Sequence, residues 1–357
     1  MTFFAANRNP NRNPNRDPNR NQFQNNLHCS GLLRTMMWMS ALSIALVGSH
    51  SSAQSTAAAW PQRPIKLIVP TSAGPGPDQV ARLIATRLSD NLGQTVLVEN
   101  RPGANGLIGT DAIAKAAPDG YTLGFATSSS MVTAVFLTRN LPYDPRKDFT
   151  PITAAVEPVT CLAVHPSMPV NSVKEFLDYA RANPGKVSYG SAGIGSVFHM
   201  IGESLQLATG VQLTHVPYKG VPPAMADLVA GQIQSVFISM TNALPQMRGG
   251  KARILAVLES QRFARAPNIP TIGEAVPGFE KPASWFGFFG PAGLPPAITN
   301  RMHQEVSKVL NQAELRNSLE DSAFVIIGNT PAEFSELMRR SFDVYGKAVK
   351  AAGLKPE

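Results

Sequence analysis

Cysteine is nearly missing from this chain, with two residues in 357, Cys29 and Cys161. Cys29 sits in a stretch read below as a removed leader, so no intramolecular disulfide framework is available. A folded part of about 300 residues can bury ample core, or two cores, without one. The chain also lacks an apolar run of the ~20 residues needed to span a bilayer. Aromatics make up 7% of residues, and no basic run interleaves with them after the leader, which argues against a nucleic-acid partner. Sequence motifs of catalysis are absent too. There is no G-x-S-x-G elbow, no P-loop and no complete G-x-G-x-x-G; Gly74-Pro-Gly76 and Gly193-Ile-Gly195 are partial echoes. His165, His199, His215 and His303 show no metal-ligand spacing with one another or with clustered carboxylates. No close carboxylate pair or nucleophile–base pair emerges, and no metal or cofactor is implied.

The front of the chain is present but is not expected to fold. Asn7–Gln22 repeats a four-residue unit (NRNP, NRNP, NRDP, NRNQ) with almost nothing apolar to bury. Arg34, the 13-residue apolar run Met36–Gly48 and Ser51-Ser52-Ala53 read as a secretory signal peptide. Residues 1–53 are therefore a disordered repeat plus signal peptide, cleaved near Ala53, and the remainder is expected in the periplasm. Net charge changes with that cut. The whole chain is +8; residues 1–53 carry five Arg and one Asp, leaving 27 Lys and Arg against 23 Asp and Glu. That small excess is compatible with acidic ligands.

From Ile65 onward strand and helix signals alternate. Strands are expected at Ile65–Pro70, Thr95–Glu99 and Tyr121–Ala126, with helices at Asp78–Leu92 and Gly106–Ala116. A long extended stretch, Phe149–Val164, follows. The pattern then restarts with helices at Val173–Ala182, Val197–Thr209 and Pro223–Ala230 around strands at Val187–Tyr189, Leu213–Val216 and Ile233–Ile238. A strand at Trp285–Gly290 precedes a mostly helical tail: Pro296–Asn311, Ala313–Ser322 and Pro331–Ala352, with one strand at Phe324–Ile327. The expected fold is α/β in two lobes with parallel sheets. The tail packs back on the first lobe, which is therefore discontinuous: residues 61–160 and 281–357 form lobe 1 and residues 161–280 lobe 2. Crossings fall near Thr160 and Glu280, with a ligand cleft between the lobes.

Two loops stand out, Thr71-Ser-Ala-Gly-Pro-Gly-Pro-Asp78 and Gly190-Ser-Ala-Gly-Ile-Gly-Ser196. Each leads from a strand into a helix, where small residues leave backbone N–H groups bare and the helix dipole favours an anion. Ordinary turn chemistry would explain either one alone. Their matching placement suggests two half-sites facing one cleft, with Thr71, Ser72, Ala73, Gly74, Asp78, Ser191, Ala192, Gly193 and Ser196 as candidate ligand residues. Asp78 reads equally as a structural cap on its helix. Ser128 and Ser129, within Thr127-Ser-Ser-Ser130, either cap the next segment or donate to a carboxylate. Tyr218 is a candidate pocket wall, Lys219 a solvated charge, Cys161 buried packing, and His199 a core hydrogen-bonder or a contact behind the ligand.

Taken in order, the motifs resemble one family, the Bug (tripartite tricarboxylate transporter) extracytoplasmic solute receptors. They include Trp60-Pro-x-Arg-Pro-Ile65, Val98-Glu-Asn-Arg-Pro-Gly103, Ala117-Pro-Asp-Gly-Tyr-Thr-Leu123, Tyr189-Gly-Ser-Ala-Gly193 and Val216-Pro-Tyr-Lys-Gly220. Asp227-Leu-Val-Ala-Gly231, Pro270-Thr271 with Glu274-Ala275, and Trp285-Phe-Gly before Pro291-Ala-Gly extend the match over the whole mature part. The resemblance implies a type II periplasmic-binding-protein fold, a monomer and not an enzyme, which closes on a small carboxylate and hands it to membrane subunits of a transporter. It places one carboxylate end between Thr71–Asp78 and Ser191–Ser196, and leaves Ser128, Ser129 and Tyr218 to read the distal end. The first loop departs from the family pattern: an aromatic, a glycine and a hydroxyl give way to Thr71, Pro75 and Pro77. A cleft enzyme using a serine, and a receptor that serves sensing without its own transporter, are the alternatives.

Overall fold

The computed structural model describes residues 60–74 and 76–356, so the leader and signal peptide expected over 1–53, and Pro75, lie outside the described residues. Eleven strands form two sheets among the described residues. The larger is built from β1 (Ile65–Val69), β2 (Val96–Asn100), β3 (Thr122–Thr127), β4 (Phe149–Pro158), β10 (Phe286–Pro291) and β11 (Phe324–Ile326), in the order β11-β4-β10-β3-β1-β2. The smaller contains β5 (Thr160–Val164), β6 (Val187–Ser191), β7 (Leu213–Pro217), β8 (Ser235–Ser239) and β9 (Arg253–Val257), in the order β7-β6-β8-β5-β9.

Both sheets are mixed, which corrects the expectation of parallel sheets. The strands that alternate with helices do pair in parallel, β2 and β3 on β1, and β7 and β8 on β6. The strands on which the chain arrives after crossing between the sheets run the opposite way: β10 is antiparallel to β3 and β4, and β5 to β8 and β9. The stretch Phe149–Val164 is likewise two strands in different sheets, divided at Val159. The helix at Met240–Arg248 and the strand β9 were not anticipated, because Pro245 inside the helix reads as a breaker in sequence.

Amphipathic helices clothe the sheets. In α1 (Pro77–Leu92) Val80, Ala81, Ile84, Ala85 and Leu88 fall on one buried stripe, and Gly93, at φ 65°, ends it in the left-handed conformation. That stripe packs with Ile65, Leu67 and Val69 of β1 and with Ile298, Met302 and Val306 of the tail, on one face of the larger sheet. On the other face Ile68 and Phe289 pack against Phe334, Met338, Phe342 and Tyr345 of the helix Pro331–Ala351. The tail thus returns to the larger sheet, and the first lobe is discontinuous. The same terminal helix also touches Val197–Thr209, and Met200 lies among its apolar partners, so the lobes meet. Among the described residues no helix is long and apolar enough to cross a membrane.

Candidate functional site

The first loop leaves β1 and is organised by one carboxylate. Asp78 is buried at the start of α1; its Oδ2 accepts from Gly74 N–H (3.0 Å), and its Oδ1 accepts from Asn100 Nδ2 (2.9 Å) and faces Arg82 Nε (2.9 Å). Asn100 also donates to the Thr71 carbonyl (3.1 Å), tying the end of β2 to the end of β1. Burial pushes the Asp78 carboxyl up, but its bonds to Arg82, Gly74 and Asn100 outweigh this and hold it below the usual value. The N–H groups of Ser72, Ala73, Gly76 and Asp78 take no partner among the described residues. Pro77 has no N–H, Gln79 N–H donates to the Gly74 carbonyl (3.2 Å) and Val80 N–H to Gly76 (3.1 Å). Ser72 and Ala73 are exposed, and Thr71 Oγ1 is buried without a partner.

The second loop is organised by two hydroxyls. Ser191, the last residue of β6, is 1% exposed; its Oγ accepts from Gly193 N–H (3.1 Å) and lies 2.7 Å from His215 Nε2. Ser196 caps the following helix, Val197–Thr209, by accepting from His199 N–H (3.3 Å). The N–H groups of Val197 and Phe198, the first two of that helix, take no partner among the described residues, which is the arrangement that favours an anion. Ala192 is half-buried and accepts from Gly220 N–H (3.2 Å). At Gly193, with φ 127°, a side chain would be strained, and its Cβ would come 3.1 Å from the Tyr218 carbonyl. Tyr218 N–H donates to the Ser191 carbonyl (3.2 Å), and its hydroxyl donates to Asp227 Oδ2 (2.7 Å).

A third segment joins the two loops. Ser128 is buried and its N–H donates to the Trp285 carbonyl (3.1 Å), whereas Ser129 is exposed. Residues 129–133 wind as a π-helix, a widening that recurs at functional sites. At its start Ser130 approaches Gly106, where a Cβ would come 3.3 Å from Ser130 Cβ and 3.1 Å from the Pro70 carbonyl. At its far end Leu137 packs against Gly195 of the second loop. The segment thus lies between Gly195 of the second loop and Gly106, which abuts Pro70 at the root of the first, and no hydrogen bond joins the two loops directly among the described residues.

Sequence reasoning missed two things here and left one open. The pairing of Ser191 with His215 corrects the expectation that no nucleophile–base pair exists; the two are 24 residues apart and meet only because β6 and β7 pair with Ser191 opposite Pro217. The turn Ala104-Asn105, at φ 45° and 55°, sets Gly106 against Pro70 at the end of β1, and its only signal was the glycine on each side. His199 proves to be a core hydrogen-bonder: its Nδ1 accepts from Gly195 N–H (3.1 Å), and its ring stacks on His215 at 3.7 Å.

Known proteins agree with this architecture. The family described as the tripartite tricarboxylate transporter family receptor matches residues 80–354. Protein BugT of Bordetella pertussis is 33% identical over 306 residues, covering 85% of this chain and 92% of that protein. Of solved structures, R. palustris Rpa4515 with adipate is similar at a TM-score of 0.72 and 34% identity, covering 84% of this chain and all of that one. MatC from Rhodopseudomonas palustris, with bound malate, has a TM-score of 0.67 at 32% identity over 81% of this chain and all of its own. By sequence over most of its length and by fold, this chain belongs to the tripartite tricarboxylate transporter receptor family.

Proposed function

We propose that this protein is a periplasmic receptor, not an enzyme, that closes two lobes on a small carboxylate and delivers it to membrane transport subunits. Lobe 1 comprises residues 61–160 and 281–357 and lobe 2 residues 161–280, except that Thr160 already pairs in the smaller sheet. The observation that carries the reading is the pair of unpartnered N–H groups at Val197 and Phe198, on a helix start built from Gly193, Gly195 and Ser196. One carboxylate of the ligand accepts from them, with Ala192 and Gly193 beside it and Ser72, Ala73 and Ser129 approaching from lobe 1. Thr71, Gly74, Asp78, Ser128 and Ser191 shape the backbone that surrounds the ligand, and Tyr218 walls the second loop. Contacts to both lobes favour the closed state by the ligand's differential affinity for it. The relatives seen with adipate and malate support an organic acid as ligand.

The test is thermal-shift and calorimetric screening of the mature protein against mono-, di- and tricarboxylates, adipate and malate included. Stabilisation by at least one acid is expected; stabilisation by neutral solutes alone would sink the carboxylate reading. One observation favours a hydrolase instead, the 2.7 Å contact of Ser191 with His215. Against it, Ser191 is buried and its oxygen already accepts from Gly193 N–H. Ser191→Ala separates the two: a receptor shows a changed affinity and no turnover of ester or amide substrates in either form.

A further inference from the structure

Behind the second loop lies a largely buried polar assembly. His199 and His215 stack face to face, their centroids 3.7 Å apart and their planes 7° from parallel. Tyr189 packs beside the pair, its ring 4.9 Å from that of His215 and 6.5 Å from that of His199. The Tyr189 hydroxyl donates to Glu203 Oε1 (2.6 Å), which also accepts from Gln206 Nε2 (2.9 Å) and stands 3.6 Å from His199 Nε2. Each imidazole then reaches the loop once, His199 through Gly195 N–H (3.1 Å) and His215 through Ser191 Oγ (2.7 Å).

The two contacts respond differently to a proton. Ser191 is adaptable: a protonated His215 can donate to its oxygen while the hydroxyl turns to the Gly193 carbonyl, 3.1 Å away. His199 has no such freedom. A backbone N–H only donates, so Nδ1 must keep its lone pair and the ring proton must sit on Nε2, facing Glu203. A proton on Nδ1 would set two donors against each other and release Gly195. Gly195 has little room to move elsewhere, because Leu137 of the opposite lobe packs against it.

Resting on the receptor reading above, we propose that His199 is a positioning residue for the ligand loop, whose neutral, Nε2-protonated form holds Gly195 and the adjoining helix start in the capture geometry, so that acid weakens ligand capture through this one hydrogen bond. The titratable groups that face it are Glu203 on its own helix and His215 and Tyr189 on the neighbouring strands, while Lys347 of the terminal helix and Glu280 line a groove with Ser204 one turn further along. The neighbouring segment 129–137 presents Thr133 and Leu137, neither of them charged.

The experiment compares wild type with His199→Asn, whose side-chain oxygen can take the place of Nδ1 but cannot titrate, and with His199→Phe, which removes the acceptor. Affinity for malate and adipate is measured calorimetrically from pH 7.5 to 5.0, and amide exchange of residues 190–198 is followed over the same range without ligand. Wild type should lose about tenfold more affinity than His199→Asn over that range, the worth of one hydrogen bond. The acid's own titration is common to both proteins and cancels. His199→Phe should bind about tenfold more weakly at pH 7.5. Equal pH slopes in wild type and His199→Asn overturn the proposal. Should neither acid bind at pH 7.5, the receptor reading with these ligands fails separately, and exchange decides: acid must open 190–198 in wild type beyond its chemical rate. Should His199→Asn not fold, the same wild-type measurement decides, and no acid-dependent opening overturns the proposal.

Discussion

Asp78 shows how one side chain can look like a ligand contact in sequence and be a builder of the loop in structure. It sits where a helix start favours a carboxylate, and all its visible bonds go to Gly74, Asn100 and Arg82. Asp78→Ala would leave the Gly74 N–H and the Asn100 amide without their shared acceptor. A loss of about 3 kcal/mol is expected in urea unfolding at pH 7. The pH dependence follows from the lowered pKa. A carboxyl depressed in the folded state binds fewer protons there than in the unfolded chain. Its contribution is complete above the ordinary carboxylate range and disappears as pH falls through the depressed value. The difference between wild type and variant should therefore shrink below about pH 4 and hold steady above pH 5. The turn chemistry of Thr71–Asp78 was legible in sequence because small residues and a carboxylate at a helix start have local causes. Asn100 was not, because its bond to Asp78 spans 22 residues and depends on β1 and β2 lying side by side.

Among the elements, most helices and strands were legible from apolar periodicity, while their partners were not. Val173–Ala182 and Val197–Thr209 carry their stripes and caps in the chain itself, through Ser172 and Ser196. Strand direction in β5 and β10 has no such local signal, since it is set by where the chain must cross between the sheets. The crossings share a buried ion cluster that periodicity could not reveal. Lys281 Nζ lies 2.7 Å from Glu157 Oε1 at the end of β4 and 2.8 Å from Glu259 Oε1 after β9. Glu157 also accepts from Ser284 N–H (2.7 Å), and Glu259 from Thr160 N–H (2.9 Å), so the cluster fastens both crossings to both sheets. Burial alone would lower the Lys281 pKa, but the two carboxylates outweigh it and raise it. Lys281→Met removes the cation and leaves two buried carboxylates facing each other. The expected cost is about 3–5 kcal/mol by urea unfolding at pH 7. A Lys281→Met, Glu259→Gln double variant should recover part of that loss, because one of the unpaired charges is gone.

At the scale of the whole molecule the two glycine-rich loops, already unequal in sequence through Pro75 and Pro77 of the first, differ in their surroundings as well. The first folds its Gly74 N–H onto the buried Asp78 carboxylate, whereas the second presents the bare N–H groups of Val197 and Phe198 and rests on Leu137 of the other lobe. Gly195 is where that contact is tightest. Its φ is 74°, and a Cβ on it would fall 2.0 Å from Leu137 Cδ1. Gly195→Ala therefore combines two penalties, about 1–2 kcal/mol for a left-handed alanine and a further 1–3 kcal/mol for overpacking. Leu137→Ala removes the obstacle, so the double variant should be more stable than the two single losses added together, by about 1 kcal/mol or more. That coupling, measured by urea unfolding without ligand, tests whether the lobes touch through this pair before any ligand arrives. Strict additivity would mean that the loop and the segment part in the free protein and meet only on closure. In that case Gly195→Ala should cost ligand affinity instead of stability, since the clash would then be met when the lobes shut.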